Sequence, residues 1–164
     1  MTEITKKITI TDSEIVKLTE PGNYLIELTK PEATAEIFGS FSVSGEERAK
    51  IIVTIHHKAP QTLAKTNLRG VARDKAHLSF SGKIIIDEHC GSTNSFLTER
   101  ILLLSDTATA EAIPDLEILS DDVKCSHAAS VSSIPAEQLF YLMSRGISKA
   151  EAEKLIVAGF LRLD

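Results

Sequence analysis

A chain of 164 residues, 43% of them hydrophobic, holds enough apolar mass for one domain, or for one core with a small appendage. A net charge of −5 supplies no basic footprint for DNA, RNA or anionic lipid, and 5% aromatics with no Trp leave no platform for stacking bases or sugars. No apolar run approaches the roughly 18–20 residues of a membrane span. Only Cys90 and Cys125 carry thiols, and without an export signal they point to free cysteines in a reducing cytoplasm.

In chain order, the opening "MTEITKKITITDSE" is polar and alternating, unlike the apolar stretch of a signal peptide. From about residue 22 to 131 the pattern is strand-like, with period-two apolar positions rich in β-branched residues. "YLIEL" points Tyr24, Ile26 and Leu28 one way; Ile37, Phe41 and Val43 share a face in the next run, and Ile51, Val53 and Ile55 in "KIIVTIHH". Ala76, Leu78 and Phe80 align, with Ile84 and Ile86 beyond Gly82. "ERILLLS", "PDLEILS" and the segment 123–131 complete the series. Breaks fall at Pro21–Gly22, Pro31, Ser44–Gly45, Pro60, Gly91 and Pro114, with no helix between them. The pattern is all-β, and on periodicity alone the default is an antiparallel sandwich or barrel. A β-solenoid is the less common architecture with the same signature, and no strict repeat selects it.

The period changes near the C-terminus. Leu139, Leu142 and Met143 fall on one helical face, Pro135 suits a first turn and Arg145 a last turn, and Gly146 suits a C′ position with φ above zero. Ser148 followed by Glu151 is a capping-box spacing for a second helix carrying Leu155, Ile156, Phe160 and Leu163. This divides the chain into a β core, 1–132, and a helical appendage, 133–164, too small to stand alone.

Among candidate functional residues, Cys125 and His127 stand two apart in "DDVKCSHAAS", so on a strand their side chains face the same way. A complete zinc site needs three or four ligands, and Cys90, His56, His57, His77 and His89 are scattered without metal-ligand spacing. A cysteine nucleophile needs a base and an oxyanion hole, and no diagnostic motif supplies them. A buried cysteine beside a surface histidine is the third reading, and the residues alone leave all three standing. His56 and His57 face opposite ways, and solvated histidines are expected there. "SGK" at 81–83 lacks the frame of a phosphate loop and sits mid-strand. "SGEERAK", "RDK" and "SDDVK" read as solvated turns.

Several segments together carry a resemblance. "TNLRGVARDKAHLSFSGKI" (66–84), "RILLLS" (100–105), "ATAEAIPDLEILSDDVKCSHAASVS" (108–132), "LFYLMSRGI" (139–147) and "AEKLIVAGFL" (152–161) resemble, in order and spacing, the SufB/SufD family of iron–sulfur cluster assembly scaffolds, nearest to its SufD-like members. The residues before Thr66 carry no motif assignable to that family, whose members are usually longer, so the chain looks like a minimal version. The resemblance implies a right-handed parallel β-helix with a small C-terminal two-helix subdomain. It implies a cytoplasmic scaffold that is not an enzyme by itself. Such a scaffold pairs through its β-helix with a SufB/SufD-like subunit or a second copy, and grips a SufC-like ABC ATPase through its helices. It further implies a transient iron–sulfur cluster at the subunit interface, none being tightly bound, with His127 as the first ligand candidate and Cys125 as the second. Thiolate and imidazole are common protein ligands of such centres.

The departures bear on this. The family's "KCSHGAT" reads "KCSHAAS" here, and if the replaced glycine needs φ above zero, Ala128 strains the turn by about 1 kcal/mol. The cysteine pattern of SufB-like members is absent. A truncated structural or regulatory paralogue that dimerises without handling a cluster is therefore the alternative, and a small metal or thiol enzyme the third.

Overall fold

The computed structural model describes residues 5–162. Six strands occupy its first half: β1 (Thr5–Ile10), β2 (Ser13–Leu18), β3 (Gly22–Leu28), β4 (Thr34–Val43), β5 (Arg48–His57) and β6 (Leu63–Ala72). Four strands and two helices follow: β7 (His77–Ile86), β8 (Thr93–Leu103), β9 (Thr109–Ile118), β10 (Val123–Ser133), α1 (Ala136–Ser144) and α2 (Lys149–Leu161). Odd strands form one sheet, ordered β1-β3-β5-β7-β9, and even strands the other, ordered β10-β8-β6-β4-β2. Every pairing among the described strands is parallel. The chain thus alternates between two sheets and advances one strand in each per coil, which is a parallel β-helix. An antiparallel sandwich is excluded.

The alternation read from the sequence faces the lumen as expected. Tyr24, Ile26, Leu28, Ile37, Phe41, Val43, Ile51, Val53, Ile55, Leu78, Phe80, Ile84 and Ile86 are all buried. Parallel register stacks like side chains in columns, as with Ile26, Ile55, Ile84 and Leu116, whose numbers give a coil of 29 to 32 residues. β1 and β2 begin the helix well before residue 22: the alternating N-terminal segment supplies Ile10, Val16 and Leu18 to the same core.

Coil corners are held by hydrogen bonds between successive turns. Glu32 N–H donates to Pro60 O (3.3 Å), Gln61 N–H to Gly91 O (2.9 Å) and Ser92 N–H to Asp122 O (2.6 Å). Glu32, Gln61 and Ser92 each have φ near +60° (65°, 60° and 56°), a conformation costing roughly 1–2 kcal/mol without glycine, which these bonds help offset. Ala128 shows no such strain: it is a regular strand residue of β10, outside the left-handed set.

The helices dock on the outside of the even-strand sheet. The capping box at Ser148 and Glu151 is formed in full, and Gly146 has φ +85°, as the spacing predicts. Pro135 is the N-cap of α1 and Arg145 its C-cap, each one step outside its expected place. Arg69, on the outer face of β6, donates to the carbonyls of Phe160 (2.8 Å) and Arg162 (2.6 Å) at the C-terminal end of α2. Ser40 Oγ donates to Leu161 O (3.2 Å), and Arg73 lies 3.6 Å from Glu153. α2 buries Ala152, with Ile156 and Phe160 half-buried one and two turns further along the same face, while Leu155 is exposed. Leu163 lies outside the described residues.

Candidate functional site

β10 is the last strand of its sheet and pairs only with β8, so its outer edge is open among the described residues; β9 ends the other sheet in the same way. The end of the helix is therefore a rung whose luminal side chains have a neighbour below and none above. Register defines those side chains. Cys125 lies beside buried Ser95, His127 beside buried Leu97, and Ala129 beside buried Glu99. Cys125 and His127 thus share the luminal face of β10, as their spacing requires. Cys125 is half-buried against the core and its thiol is pushed up by burial, while His127 is exposed.

The other sequence candidates do not join them. His56 pairs with Asp87 (2.7 Å) on the outer face, His77 hydrogen bonds Thr109 (2.8 Å), and His89 stands in a turn at φ +63°. His57 is not solvated as expected. The phase of Ile51, Val53 and Ile55 carries it into the lumen, where it is fully buried. Its Nδ1 is 2.7 Å from Thr62 Oγ1 and its Nε2 2.9 Å from Ser95 Oγ, and Thr62 in turn meets Thr93 (3.2 Å). Burial, with His56 alongside, holds its pKa down to about 4, so the ring is neutral near pH 7. Cys90 is buried in the same region, donates weakly to His57 O (3.6 Å), and has its thiol pushed up by desolvation. A buried, protonated thiol packs as a small hydrophobe.

One residue outside every sequence motif belongs to this end. Glu99 lies on the luminal face of β8, 0% exposed, with neither carboxyl oxygen hydrogen bonded. Desolvation pushes its pKa up to about 7; the Gly82 amide opposes this slightly but is not in hydrogen-bonding geometry. Gly82, across the lumen, makes the space: a Cβ there would lie 2.4 Å from Leu97 Cδ2 and 2.6 Å from Glu99 Oε1. The signal was present in "FLTERI", where a charged residue occupies the apolar phase between Leu97 and Ile101.

Among the described residues no three His, Cys, Asp or Glu side chains gather closely enough to hold a metal ion. Cys125 and His127 supply soft and borderline donors suited to iron or zinc, but as two ligands of an incomplete set. No helix among the described residues is long and apolar enough to cross a membrane.

Ten parallel strands wound into an open-ended helix, with a helical hairpin laid on one sheet, define a short β-solenoid protein. The SufBD core domain model of the SUF system for iron–sulfur cluster assembly matches residues 7–160, and the chain belongs to that family. The match takes in the N-terminal strands, for which the sequence alone offered no family assignment. Similar proteins include the iron–sulfur cluster assembly protein SufD of Escherichia coli K12, 41% identical over 90 residues (55% of this chain, 21% of that protein). SufD of Bacillus subtilis 168 is 39% identical over 117 residues (71% and 27%). An iron–sulfur cluster assembly SufBD family protein of Synechocystis is 32% identical over 134 residues (82% and 29%). The chain spans between 21% and 29% of the length of these relatives.

Proposed function

We propose that the chain is a non-catalytic scaffold subunit of SUF-type iron–sulfur cluster assembly. It pairs through the open end of its β-helix with a SufB/SufD-like subunit or a second copy. The cluster, held transiently as cargo at that junction, takes His127 and Cys125 as this chain's ligands and the remainder from the partner. The observation that carries this reading is the coincidence of three features on one rung: unpaired strand edges on β9 and β10, and the luminal placement of Cys125 and of His127. Unpaired edges attract further strands, and pairing is one way of covering them. An incomplete ligand set fits a site that two subunits build together.

The same reading assigns the helices to an ABC-type ATPase of the SufC kind. α1 has no buried residue, and Phe140, Tyr141 and Met143 are 75%, 58% and 47% exposed. Such aromatic and methionine side chains are common anchors of protein interfaces. Co-purification with the ABC ATPase of the same genome tests both halves. Deleting 134–164 should abolish ATPase binding while the β-sheet spectrum persists, and undiminished binding refutes the helix assignment. Sedimentation at micromolar concentration, alone and with the SufB/SufD-like subunit, should show a dimer in one case; monomer in both refutes pairing. The absence of a three-ligand group among the described residues favours a second reading, a paralogue that pairs without handling a cluster. A dimer that takes up no iron on anaerobic reconstitution would select it.

A further inference from the structure

The described lumen is apolar apart from a few polar side chains. Thr93, Thr62, His57 and Ser95 form a chain of side chains, each hydrogen bonded to the next. Glu99 has no such partner, and among the described residues its two carboxyl oxygens and Thr66 Oγ1 are the buried side-chain atoms left unbonded. A buried carboxyl with both oxygens unmatched destabilises the fold, and an apolar side chain of similar volume would be more stable there. Such a group marks a place where something other than folding sets the residue.

The position of Glu99 says what that is. It pairs in register with Ala129, one luminal position along β10 from His127 and two from Cys125. The small side chain of Ala129 and the ring of Pro114, which pairs with Gly82, are the luminal groups of the end rung nearest this carboxyl. No Lys or Arg occupies a luminal position of β6, β7, β8, β9 or β10. The titratable luminal groups of the end rung are Cys125 and His127.

We propose that Glu99 is a third residue of the open-end site, a buried counter-charge that favours a divalent cation on the luminal face of β10. The inference rests on the reading of Cys125 and His127 given above. Glu99 acts by position and charge rather than as a ligand, since no three donor side chains meet at one point among the described residues. A cation on His127 and Cys125 gives the carboxylate its missing opposite charge, and the carboxylate in turn strengthens cation binding through a medium of low dielectric.

Anaerobic Co2+ titration of the full chain, with its partner subunit where that is needed for pairing, tests this at pH 8. The thiolate-to-cobalt absorption band reports the Cys125 contact. Glu99→Gln removes the charge and keeps the shape; it should weaken Co2+ binding on the order of tenfold while leaving the metal-free Tm equal to or above wild type. Glu99→Asp, which keeps the charge, should bind close to wild type. Unchanged Co2+ affinity in Glu99→Gln, alongside loss in His127→Ala, overturns this inference and leaves the ligand reading intact. Equal loss in Glu99→Asp and Glu99→Gln also overturns it, because charge is then not the property that matters. A wild-type protein that binds no Co2+, or whose binding is indifferent to His127→Ala, overturns the ligand reading and this inference with it.

Discussion

Removing the Arg69 guanidinium should release α2 from the β-helix without unfolding the β-helix itself. Arg69 projects from β6 and caps two carbonyls at the end of α2, at 2.8 and 2.6 Å. The last carbonyls of a helix lack intrahelical donors as a rule, and a cation there also meets the negative end of the helix dipole. A hydrogen bond to a charged group contributes roughly 1.5–3 kcal/mol when well buried. Arg69 is only half-buried, so solvent screening reduces the pair to about 1–2 kcal/mol in all. Arg73 with Glu153, and Ser40 with Leu161 O, remain as weaker ties. In Arg69→Ala, amide exchange across α2 should therefore accelerate about 5- to 30-fold while β5, β6 and β7 keep their protection. Arg69→Lys, with a point charge in place of a planar fork, should fall between. Exchange in α2 that does not change, or that rises equally in every strand, would refute the clamp.

Acid should weaken the fold in two steps of distinct origin. His57 has its pKa held at about 4 against 6.5 when unfolded. As pH falls between those values the unfolded chain binds a proton that the folded chain refuses, and stability drops by at most roughly 3 kcal/mol. His57→Gln should flatten thermal stability across that window, and an unchanged slope would contradict the assignment. Glu27, buried between Lys7 (2.8 Å) and Lys58 (2.7 Å), is held at about 2 against 4.5 by hydrogen bonds from Lys58 and Lys7. Its contribution is present above pH 4.5 and lost as pH falls toward 2, so Glu27→Gln should lose stability at pH 7 yet approach wild type near pH 2. Gly82→Ala drives a methyl into Leu97 and Glu99 and should lower stability by about 1–3 kcal/mol in urea unfolding. An unshifted midpoint would mean that the lumen is looser than the contact distances imply.

Much of the β-helix was legible at the level of individual strands. The alternation of Ile51, Val53 and Ile55 placed their faces correctly, because a strand buried on one side must alternate whatever its neighbours do. Strand direction was not legible for the same reason: alternation is identical in parallel and antiparallel sheets. The coil repeat was hidden as well. It is a repeat of geometry that chemistry follows only in places: the column Ile26, Ile55, Ile84 and Leu116 stays apolar, but the column Leu18, Gly39, Leu68, Glu99 and Ala129 changes character from one coil to the next. Phase was also the missed clue at the site, since it places both His57 and Glu99 inward. Their polar character outweighed their position, although a paired imidazole can be buried at little cost. The capping box of α2 was readable because it is a local bargain between Ser148 and Glu151. Its docking was legible only in part: Ile156 and Phe160 fall on the half-buried face with Ala152, but the ties from Arg69 and Ser40 to its terminal carbonyls leave no periodic mark in the sequence.

Whether His127 meets iron at a paired interface can be tested directly. Anaerobic reconstitution of the assembled pair with iron and sulfide, followed by iron counting, compares wild type with His127→Ala. His127 is exposed at the open rung, so the substitution should leave folding nearly unchanged, within about 0.5 kcal/mol. Cys125→Ala is less clean, because a half-buried cysteine also packs against the core. The His127→Ala pair should assemble normally and retain clearly less iron than wild type. A His127→Ala pair that reconstitutes iron as fully as wild type would contradict this, leaving Cys125 and His127 as the ordinary end of a strand.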